Sequence, residues 1–339
     1  MKLCVLGLGA IGSWVASRLA KAARERTELA DLKVSGLARG ATLAAIQARG
    51  IRAERRTPEG IQFLDQTPLQ VSSSAQALGV QDVIVVSVKT TALAILAEQA
   101  QPMIGPNTLI ISMMNGVPWW FFEGLDAARA AEPLNSIDPQ GKIAQWLPPK
   151  QVIGTVTHLS ASCPAPGRVL HNSGQRIIFG EPDARHSVRL KQLVRMFELA
   201  GFEVPIAEQR IQQDIWFKLL GNMTMNPMSA ITGVTCDKIL DDPQLRDFLS
   251  NCMREMMRVG ARIGVPIELD PEERHVVTRK LGAFKTSMLQ DVEAQRPIEL
   301  DALVTAVAEM AVRVDEPVPN IQTLLAIARV RSRALGLYP

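Results

Sequence analysis

The sequence is poor in the features that mark several large classes of protein. Its 339 residues include four cysteines, and none of these lies in a CxxC pair or at metal-ligand spacing from a histidine. Neither a disulfide scaffold nor a zinc module is therefore expected, and we predict no bound metal. Aromatic residues make up 4% of the chain, with a single tyrosine, which argues against a platform that stacks nucleic-acid bases.

Long apolar runs are also lacking. No stretch approaches the ~20 apolar residues that a membrane helix requires, and the first residues have the pattern of a strand rather than that of a signal peptide. Together with the low cysteine content, this predicts a protein of the reducing cytoplasm that does not bind membranes.

Charge of one sign is not in excess. Lys and Arg total 37 against 34 for Asp and Glu, which gives a net charge of +3, and the basic residues are interleaved with acids. A nucleic-acid partner is therefore not predicted. Hydrophobic residues at 47% and charged residues at 21% are typical of a globular protein. The length indicates two domains, since a domain usually has ~100–200 residues.

Short apolar segments alternate with helix-like stretches over the first part of the chain. The first helix is predicted at 11–23. The predicted strands are 2–6, 33–38, 83–88, 108–113 and 152–156. The order strand, helix, strand predicts a parallel sheet with right-handed crossovers.

After residue 206 the pattern changes to strong helix formers with apolar residues three or four positions apart. The predicted helices are 208–225, 242–263, 271–294, 299–314 and 320–335. Within the first part, the stretch 121–150 is a long connection between two predicted strands. Connections of this length are often mobile or functional, and the sequence leaves open whether this one is a lid or a subunit contact.

A glycine loop follows the first predicted strand and opens the first predicted helix. Its residues are Gly7, Leu8, Gly9, Ala10, Ile11 and Gly12. In this GxGxxG pattern the glycines permit a tight turn, a close approach of the backbone to a pyrophosphate, and close packing of helix on strand. The sequence therefore predicts an α/β, Rossmann-type dinucleotide-binding domain over 1–206, followed by an all-α domain over 207–339.

Two basic residues favour NADP(H) as the cofactor. The second predicted strand runs into Arg39, and Lys89 follows the strand 83–88. NAD-dependent proteins place an acid at the end of the second strand, whereas an arginine suits the 2′-phosphate of NADP. A guanidinium can bind that phosphate through two parallel hydrogen bonds.

A polar stripe marks one face of the first helix in the second half. Lys218, Asn222 and Asn226 follow each other at intervals of four residues, and Pro227 disfavours helical geometry at the residue before it. A solvated face of an amphipathic helix would also explain the stripe. However, two neutral amides beside a lysine suit a 2-oxoacid reductase, because a lysine can protonate and stabilise the alkoxide that forms when hydride reaches a ketone.

These motifs together resemble one family. The runs that carry the resemblance are Gly7 to Gly12, Met114-Asn115-Gly116-Val117, Trp216-Phe217-Lys218-Leu219 with Asn222 and Asn226-Pro227, Ser287-Met288-Leu289-Gln290-Asp291-Val292, and Pro297-Ile298-Glu299-Leu300-Asp301. In this order, and over nearly the whole chain, the sequence is similar to the ketopantoate reductase (2-dehydropantoate 2-reductase) family.

The resemblance implies a role for each matched residue. Lys218 is the implied catalytic proton donor to the ketone oxygen, and Glu299 would favour its charged form. The implied substrate-binding residues are Asn222, Asn226 and Ser287. The implied cofactor-binding residues beyond the glycine loop are Arg39, Lys89, Asn115, Ser160 and Glu299.

The implied reaction is the NADPH-dependent reduction of ketopantoate to (R)-pantoate, in the synthesis of pantothenate and coenzyme A. The implied partner is a small 2-oxoacid, with a homodimer as the candidate assembly. Cys236, Thr286 and the length of 121–150 depart from the family pattern. They keep two alternatives open, a related D-2-hydroxyacid dehydrogenase for another branched or aromatic 2-oxoacid and a non-catalytic NADP-binding regulator.

Overall fold

The chain divides into two units whose residues are not consecutive. The structure is a computed structural model that describes residues 1–126 and 132–339. The first unit contains Met1–Met114 and Lys142–Ile211, and the second contains Asn115–Gly141 and Gln212–Pro339. The segment Asn115–Gly141 thus groups with the helical half of the chain. The predicted boundary near 206 had assigned this segment to the first domain.

A mixed sheet forms the centre of the first unit. Within the described residues it has nine strands, in the order β4-β3-β9-β8-β7-β6-β1-β2-β5. The strands are Lys2–Leu6 (β1), Lys33–Leu37 (β2), Ile51–Thr57 (β3), Gly60–Thr67 (β4), Gln70–Ser72 (β5), Gln81–Val86 (β6), Ile104–Ser112 (β7), Val152–Ala165 (β8) and Arg168–Gly180 (β9).

The predicted parallel strands are confirmed at the centre of this sheet. β1 pairs in parallel with β2 and with β6, and the parallel series continues through β7 to β8. β1 from Leu3 to Leu6 and β6 from Val83 to Val86 are buried throughout. This is the pattern of strands that are covered on both faces, and it explains why their sequences are almost wholly apolar.

One side of the sheet contains antiparallel pairs, which the sequence did not predict. β3 and β4 form an antiparallel hairpin, and so do β8 and β9, which turn at Gly167 with φ +73°. β3 is rich in arginine, and the other three strands mix polar with apolar residues. Their apolar signal is therefore weak, and periodicity did not reveal the two hairpins. The predicted strand 152–156 is only the beginning of β8.

Helices pack on the sheet of the first unit. They are Ala10–Glu25 (α1), Gly40–Arg49 (α2), Ala75–Leu78 (α3), Thr90–Ala100 (α4), Lys142–Trp146 (α5) and Val188–Leu199 (α6). α1 contributes Trp14, Val15 and Leu19 to the core, together with Phe179 of β9 and Phe197 of α6. Its buried face therefore follows the helical period that the sequence predicts for 11–23.

The second unit is helical in its described part after residue 211. The helices are Ile211–Thr232 (α7), Cys236–Asp241 (α8), Pro243–Arg262 (α9), Pro271–Arg279 (α10), Ser287–Glu293 (α11), Ala306–Arg313 (α12) and Pro319–Ala334 (α13). The predicted helices 242–263 and 320–335 correspond to α9 and α13.

Two predicted helix bounds are wrong. α7 does not end at 225 but continues through Pro227 to Thr232, because buried packing of Met225, Met228 and Ala230 holds the backbone helical past the missing N–H. The predicted helix 271–294 is two helices, since the chain breaks at Gly282, which has φ +63°.

A π-helical turn replaces the start of the predicted helix 299–314. Asp301–Thr305 is π-helical and leads directly into α12. The hydroxyl of Tyr338 donates to Asp301 Oδ1 at 2.6 Å and holds the beginning of this turn. Single π turns inside helices occur frequently at functional sites, because they change where a backbone carbonyl points.

Hydrogen bonds to α12 hold residues 132–136, which belong to the long connection predicted at 121–150. The carboxylate of Glu309 accepts from the backbone N–H groups of Asn135 and Ser136 at 2.8 and 3.0 Å, and from the Ser136 hydroxyl at 2.7 Å. Arg313 donates to the carbonyl oxygens of Glu132 and Pro133 at 2.6 and 2.7 Å. Residues 132–136 are therefore an integral part of the second unit.

None of the helices in the described ranges is both long enough and apolar enough to cross a membrane.

We predict that Glu309→Gln lowers the free energy of unfolding by about 1–3 kcal/mol, because a half-buried carboxylate that accepts several hydrogen bonds is replaced by a neutral amide. Burial alone would raise the pKa of Glu309, but the hydrogen bonds from Ser136 and Asn135 lower it below the ordinary 4.5. The stabilisation is therefore present above pH 4.5 and is lost as the pH falls through the lower folded value. Urea denaturation at neutral and acidic pH measures this difference.

The control is Val312→Ala on the same helix, since Val312 is 70% exposed and its truncation should change stability by less than roughly 0.5 kcal/mol. Equal stability of Glu309→Gln and the unaltered protein at neutral pH would contradict the prediction.

Candidate active site

The glycine loop joins β1 to α1 at the carboxyl edge of the parallel strands. Gly7 has φ +88°, and a Cβ at this position would lie 2.4 Å from Val88 Cγ1 and 2.9 Å from the carbonyl oxygen of Ser87. Only glycine combines this backbone geometry with so close a neighbour. The Ser87 hydroxyl donates to the carbonyl oxygen of Gly7 at 2.9 Å and ties the loop to the end of β6.

The two later glycines have different surroundings. Gly12 is buried, and a Cβ there would lie 2.0 Å from the carbonyl oxygen of Gly7. A Cβ on Gly9, by contrast, would meet no atom of the described residues within 4 Å. The exposed Gly9 is the N-cap of α1, so this open space adjoins the free N–H groups of a helix N-terminus. Such a space fits a phosphate group.

The other loop residues fix the loop on the sheet. Leu8 is buried, whereas Ala10 and Ile11 are half-buried. A Cβ on Gly36 of β2 would lie 2.6 Å from Leu8 Cδ1, so the leucine packs directly against the neighbouring strand. This contact orients the loop with its backbone toward the open side.

Arg39 and Lys89 follow the two strands that flank β1. Because β1 pairs in parallel with β2 and β6, the residues after these strands lie at the same edge of the sheet as the glycine loop. The exposed Arg39 directly precedes α2, and the half-buried Lys89 directly precedes α4. The edge therefore combines the open space at Gly9 with cations at the ends of the strands on either side of β1.

Ser160 lies farther along β8 than the other predicted residues of the first unit. β8 pairs with β7 only through Gly154, and Ser160 is in the extension beyond that pairing, opposite Ser173 of β9. The register shifts on both sides of Ser160, so a bulge orients this half-buried serine. Its pairing is with β9, and its cofactor role stays a prediction.

In the second unit, Lys218 is hydrogen-bonded to Asn115. The ammonium nitrogen of Lys218 donates to Asn115 Oδ1 at 2.8 Å. Burial of the ammonium group lowers the pKa of Lys218 from 10.5 to about 8, because the charged form loses solvation. The lysine is thus an acid of moderate strength close to neutral pH, as a proton donor in catalysis must be.

The turn after Asn115 is locked against the π-helical turn. Gly116 has φ +80°, and a Cβ there would lie 2.5 Å from the carbonyl oxygen of Ala302. The same carbonyl accepts from the N–H of Val117 at 2.9 Å. The carbonyl of Ala302, within the π-helical turn, therefore holds the Gly116–Val117 backbone beside Asn115. The amide of Asn115 in turn accepts from Lys218.

The remaining predicted residues of the second unit fall into two places. Asn222 is half-buried, one turn of α7 after Lys218, and Glu299 is half-buried just before the π turn. Asn226 is 6% exposed, and its Nδ2 donates to the hydroxyl of Ser287 at 3.4 Å. The structure thus pairs Lys218 with Asn115 and Asn226 with Ser287.

Buried hydroxyls support the pair of Asn226 and Ser287. The Ser229 hydroxyl donates to the carbonyl oxygen of Asn226 at 2.9 Å and lies 2.5 Å from Thr286 Oγ1. Thr286 in turn caps α11 by accepting from the N–H of Leu289 at 3.1 Å. These bonds link α7 to the start of α11, where Ser287 is exposed.

The carbonyl of Ala302 is the contributor that sequence reasoning missed. The alanine side chain carries no functional group that would suggest a role. The sequence of the π-helical turn also has no distinct composition. The Asn115-Gly116 pair was the available signal, since it indicated a turn that needs positive φ.

Models of one protein family match most of the chain. The model described as Ketopantoate reductase PanE/ApbA matches residues 3–184, and the model described as Ketopantoate reductase PanE/ApbA C terminal matches residues 210–332.

Individual relatives have the same length as this chain. The 2-dehydropantoate 2-reductase of Mesorhizobium japonicum is 38% identical over 338 residues, which cover 100% of both chains. A solved structure from Ralstonia solanacearum MolK2, assigned as a ketopantoate reductase, has a TM-score of 0.91 at 43% identity and covers 99% of both chains. D-Mandelate dehydrogenase, solved with NADH and anilino(oxo)acetate, has a TM-score of 0.80 at 17% identity, covering 99% of this chain and 100% of that one. The last likeness concerns the fold alone.

We predict that Gly9→Ala keeps the fold but weakens dinucleotide binding by roughly tenfold or more. The backbone at Gly9 has φ −77°, which alanine adopts freely, and the new methyl group would enter the open space beside α1. The melting temperature should therefore stay the same while the Kd for NADPH rises, as measured by fluorescence titration.

Gly12→Ala is the contrasting variant, because its Cβ would collide with the protein itself and should lower the melting temperature as well. An unchanged Kd in Gly9→Ala would show that the space does not receive the phosphates.

Proposed function

This chain belongs to the ketopantoate reductase family, and from that membership we propose that it reduces 2-dehydropantoate to (R)-pantoate with NADPH. The observation that carries the proposal is the hydrogen bond from Lys218 to Asn115, in a lysine whose pKa burial lowers to about 8. It provides a proton donor of suitable acidity in a chain that belongs to an oxidoreductase family.

NADPH, when bound, supplies the hydride that adds to the ketone carbon of the substrate. Negative charge then develops on the ketone oxygen, and the Lys218 ammonium stabilises this charge and transfers a proton to the oxygen. The product is the secondary alcohol. Asn115 holds the ammonium through its amide oxygen, so the side chain does not have to be reoriented when the proton is transferred.

Neutral hydrogen-bonding groups would bind the rest of the substrate. Asn222, Asn226 and Ser287 can donate and accept hydrogen bonds without adding charge. Such groups suit the hydroxyl of 2-dehydropantoate, and they can add neutral hydrogen bonds to its carboxylate. We propose the roles of proton donor for Lys218 and of substrate ligands for these three residues.

The first unit would hold the cofactor. The glycine loop and the N-terminus of α1 offer N–H groups to the pyrophosphate. Arg39 and Lys89 supply positive charge at the ends of β2 and β6, where a 2′-phosphate would require it. We propose on this basis that NADPH is preferred over NADH, with Asn115, Ser160 and Glu299 as further cofactor ligands.

The test is oxidation of NADPH by the purified protein with a panel of 2-oxoacids. We expect turnover on 2-dehydropantoate, with kcat constant near neutral pH and falling above about pH 8, because Lys218 loses its donor proton as the pH rises through its pKa. Lys218→Ala should lower kcat by about 10²–10⁴-fold.

Lys238→Ala is the matched control, since Lys238 is an exposed lysine of the same unit and should leave kcat unchanged. Turnover restricted to an aromatic or another branched 2-oxoacid would replace the proposed substrate but not the reaction type. An undiminished kcat in Lys218→Ala would refute the proposed proton donor.

We also predict that Arg39→Gln raises the KM for NADPH by roughly tenfold or more, because a charged hydrogen-bond donor to the 2′-phosphate is lost. The KM for NADH, which lacks this phosphate, should stay nearly the same. The comparison of kcat/KM for the two cofactors measures the effect.

Arg49→Gln, at the other end of α2, serves as the control and should alter neither KM. Equal losses with NADPH and NADH would argue that Arg39 does not recognise the 2′-phosphate.

A further inference from the structure

A guanidinium lies against the helix that carries Lys218. A Cβ on Gly221 of α7 would lie 2.2 Å from Arg274 Nη2 and 2.7 Å from its Cζ. Glycine is among the poorest helix formers, and Gly221 lies in the interior of a helix of 22 residues. Here it makes room for the charged end of Arg274 from α10.

The position of Gly221 places this guanidinium against the turn of α7 that follows Lys218, the predicted proton donor. Residues three apart on a helix are surface neighbours, with about 5–6 Å between their Cβ positions. Gly221 follows Lys218 by three residues and directly precedes Asn222. The guanidinium therefore lies beside the predicted substrate-binding face of α7, within the second unit.

The charge of Arg274 is poorly compensated by the protein. Its Cζ lies 5.7 Å from the ring centroid of Phe217, and Nη1 donates to Thr278 Oγ1 at a long 3.4 Å. In the described part of the chain, Nε is buried without a hydrogen-bond partner. Burial lowers the pKa of Arg274, which is the direction expected when a cation loses water without gaining an anion.

A packing role alone does not explain this arrangement. A buried guanidinium without an anion destabilises the protein, and a methionine or leucine would fill the same space without that cost. Arg274 is nevertheless only half-buried, so part of its planar group can still receive a ligand. An anion that binds to the exposed part of the guanidinium would compensate the charge of Arg274.

We propose that Arg274 binds the carboxylate of the 2-oxoacid substrate through paired hydrogen bonds, and so determines the specificity of the site for anionic 2-oxoacids. The inference rests on the proposed function. In a 2-oxoacid the carboxylate and the ketone are on adjacent carbons, so a lysine of α7 and a guanidinium of α10 that packs on the following turn of α7 can bind the two groups of one substrate. Lys218 serves the ketone oxygen, and Arg274 serves the carboxylate.

The experiment compares a charged substrate with its neutral analogue. Steady-state rates are measured for the full-length protein with NADPH and either 2-dehydropantoate or the amide of the same acid. Arg274→Met should raise the KM for the acid by roughly tenfold or more, leave kcat and the KM for NADPH within about threefold, and leave the KM for the amide unchanged. Arg274→Lys keeps the charge but not the paired donors, and should recover part of the loss.

Arg279→Met is the matched control, because Arg279 is on the same helix and its Nη1 lies 3.0 Å from Asp241 Oδ1. It should not change the KM for either compound. A lower melting temperature of Arg274→Met without any change in KM would overturn the proposal in favour of packing. Equal rises in KM for acid and amide would also overturn it.

Calorimetric titration with 2-dehydropantoate separates failure of this proposal from failure of the proposed function, because it measures binding of the acid without requiring turnover. If the protein binds this acid and Arg274→Met weakens that binding by roughly tenfold or more, the proposal stands even without turnover. If both proteins bind it equally, or neither binds it, the proposal is overturned, whether or not NADPH is oxidised with another 2-oxoacid.

Discussion

The hydrogen bond from the Lys218 ammonium to the Asn115 amide oxygen is the interaction on which the site of the second unit depends. Burial makes the lysine a stronger acid, but burial alone would leave its side chain without a fixed direction. The fixed direction comes from the turn at Gly116, whose positive φ is stabilised by a backbone carbonyl of a π-helical turn. The placement of Lys218 against Asn115 therefore depends on backbone geometry in two distant segments of the sequence.

The sequence was sufficient to predict much of the fold, because its strongest signals are local. Buried parallel strands such as β1 and β6 are continuous apolar runs, and the glycine loop has a fixed spacing. The hairpins of β3 with β4 and of β8 with β9 escaped prediction, since their strands mix polar and apolar residues and give only a weak apolar signal. Pro227 misled the prediction of α7, because tertiary packing outweighed a local preference.

The candidate site could be predicted only in its residue types. Lys218, Asn222 and Asn226 lie on one helix face by their spacing, and the family resemblance added Asn115 and Ser287. The hydrogen bonds between these residues could not be derived from spacing, because they join segments that lie 61 or 103 positions apart. The contribution of Ala302 comes from its carbonyl group, which every residue possesses, so no side-chain pattern could reveal it.

The assignment of Asn115–Gly141 to the second unit has a consequence for the folding of the chain. Asn135 and Glu132 are bonded to side chains that follow 174 and 181 positions later. During synthesis, this early segment must wait for α12 to leave the ribosome before its polar backbone groups are satisfied. Closure of so long a loop is slow, so we expect the second unit to fold late and as a whole. For the same reason, cutting the chain near residue 206 would not yield two self-sufficient fragments.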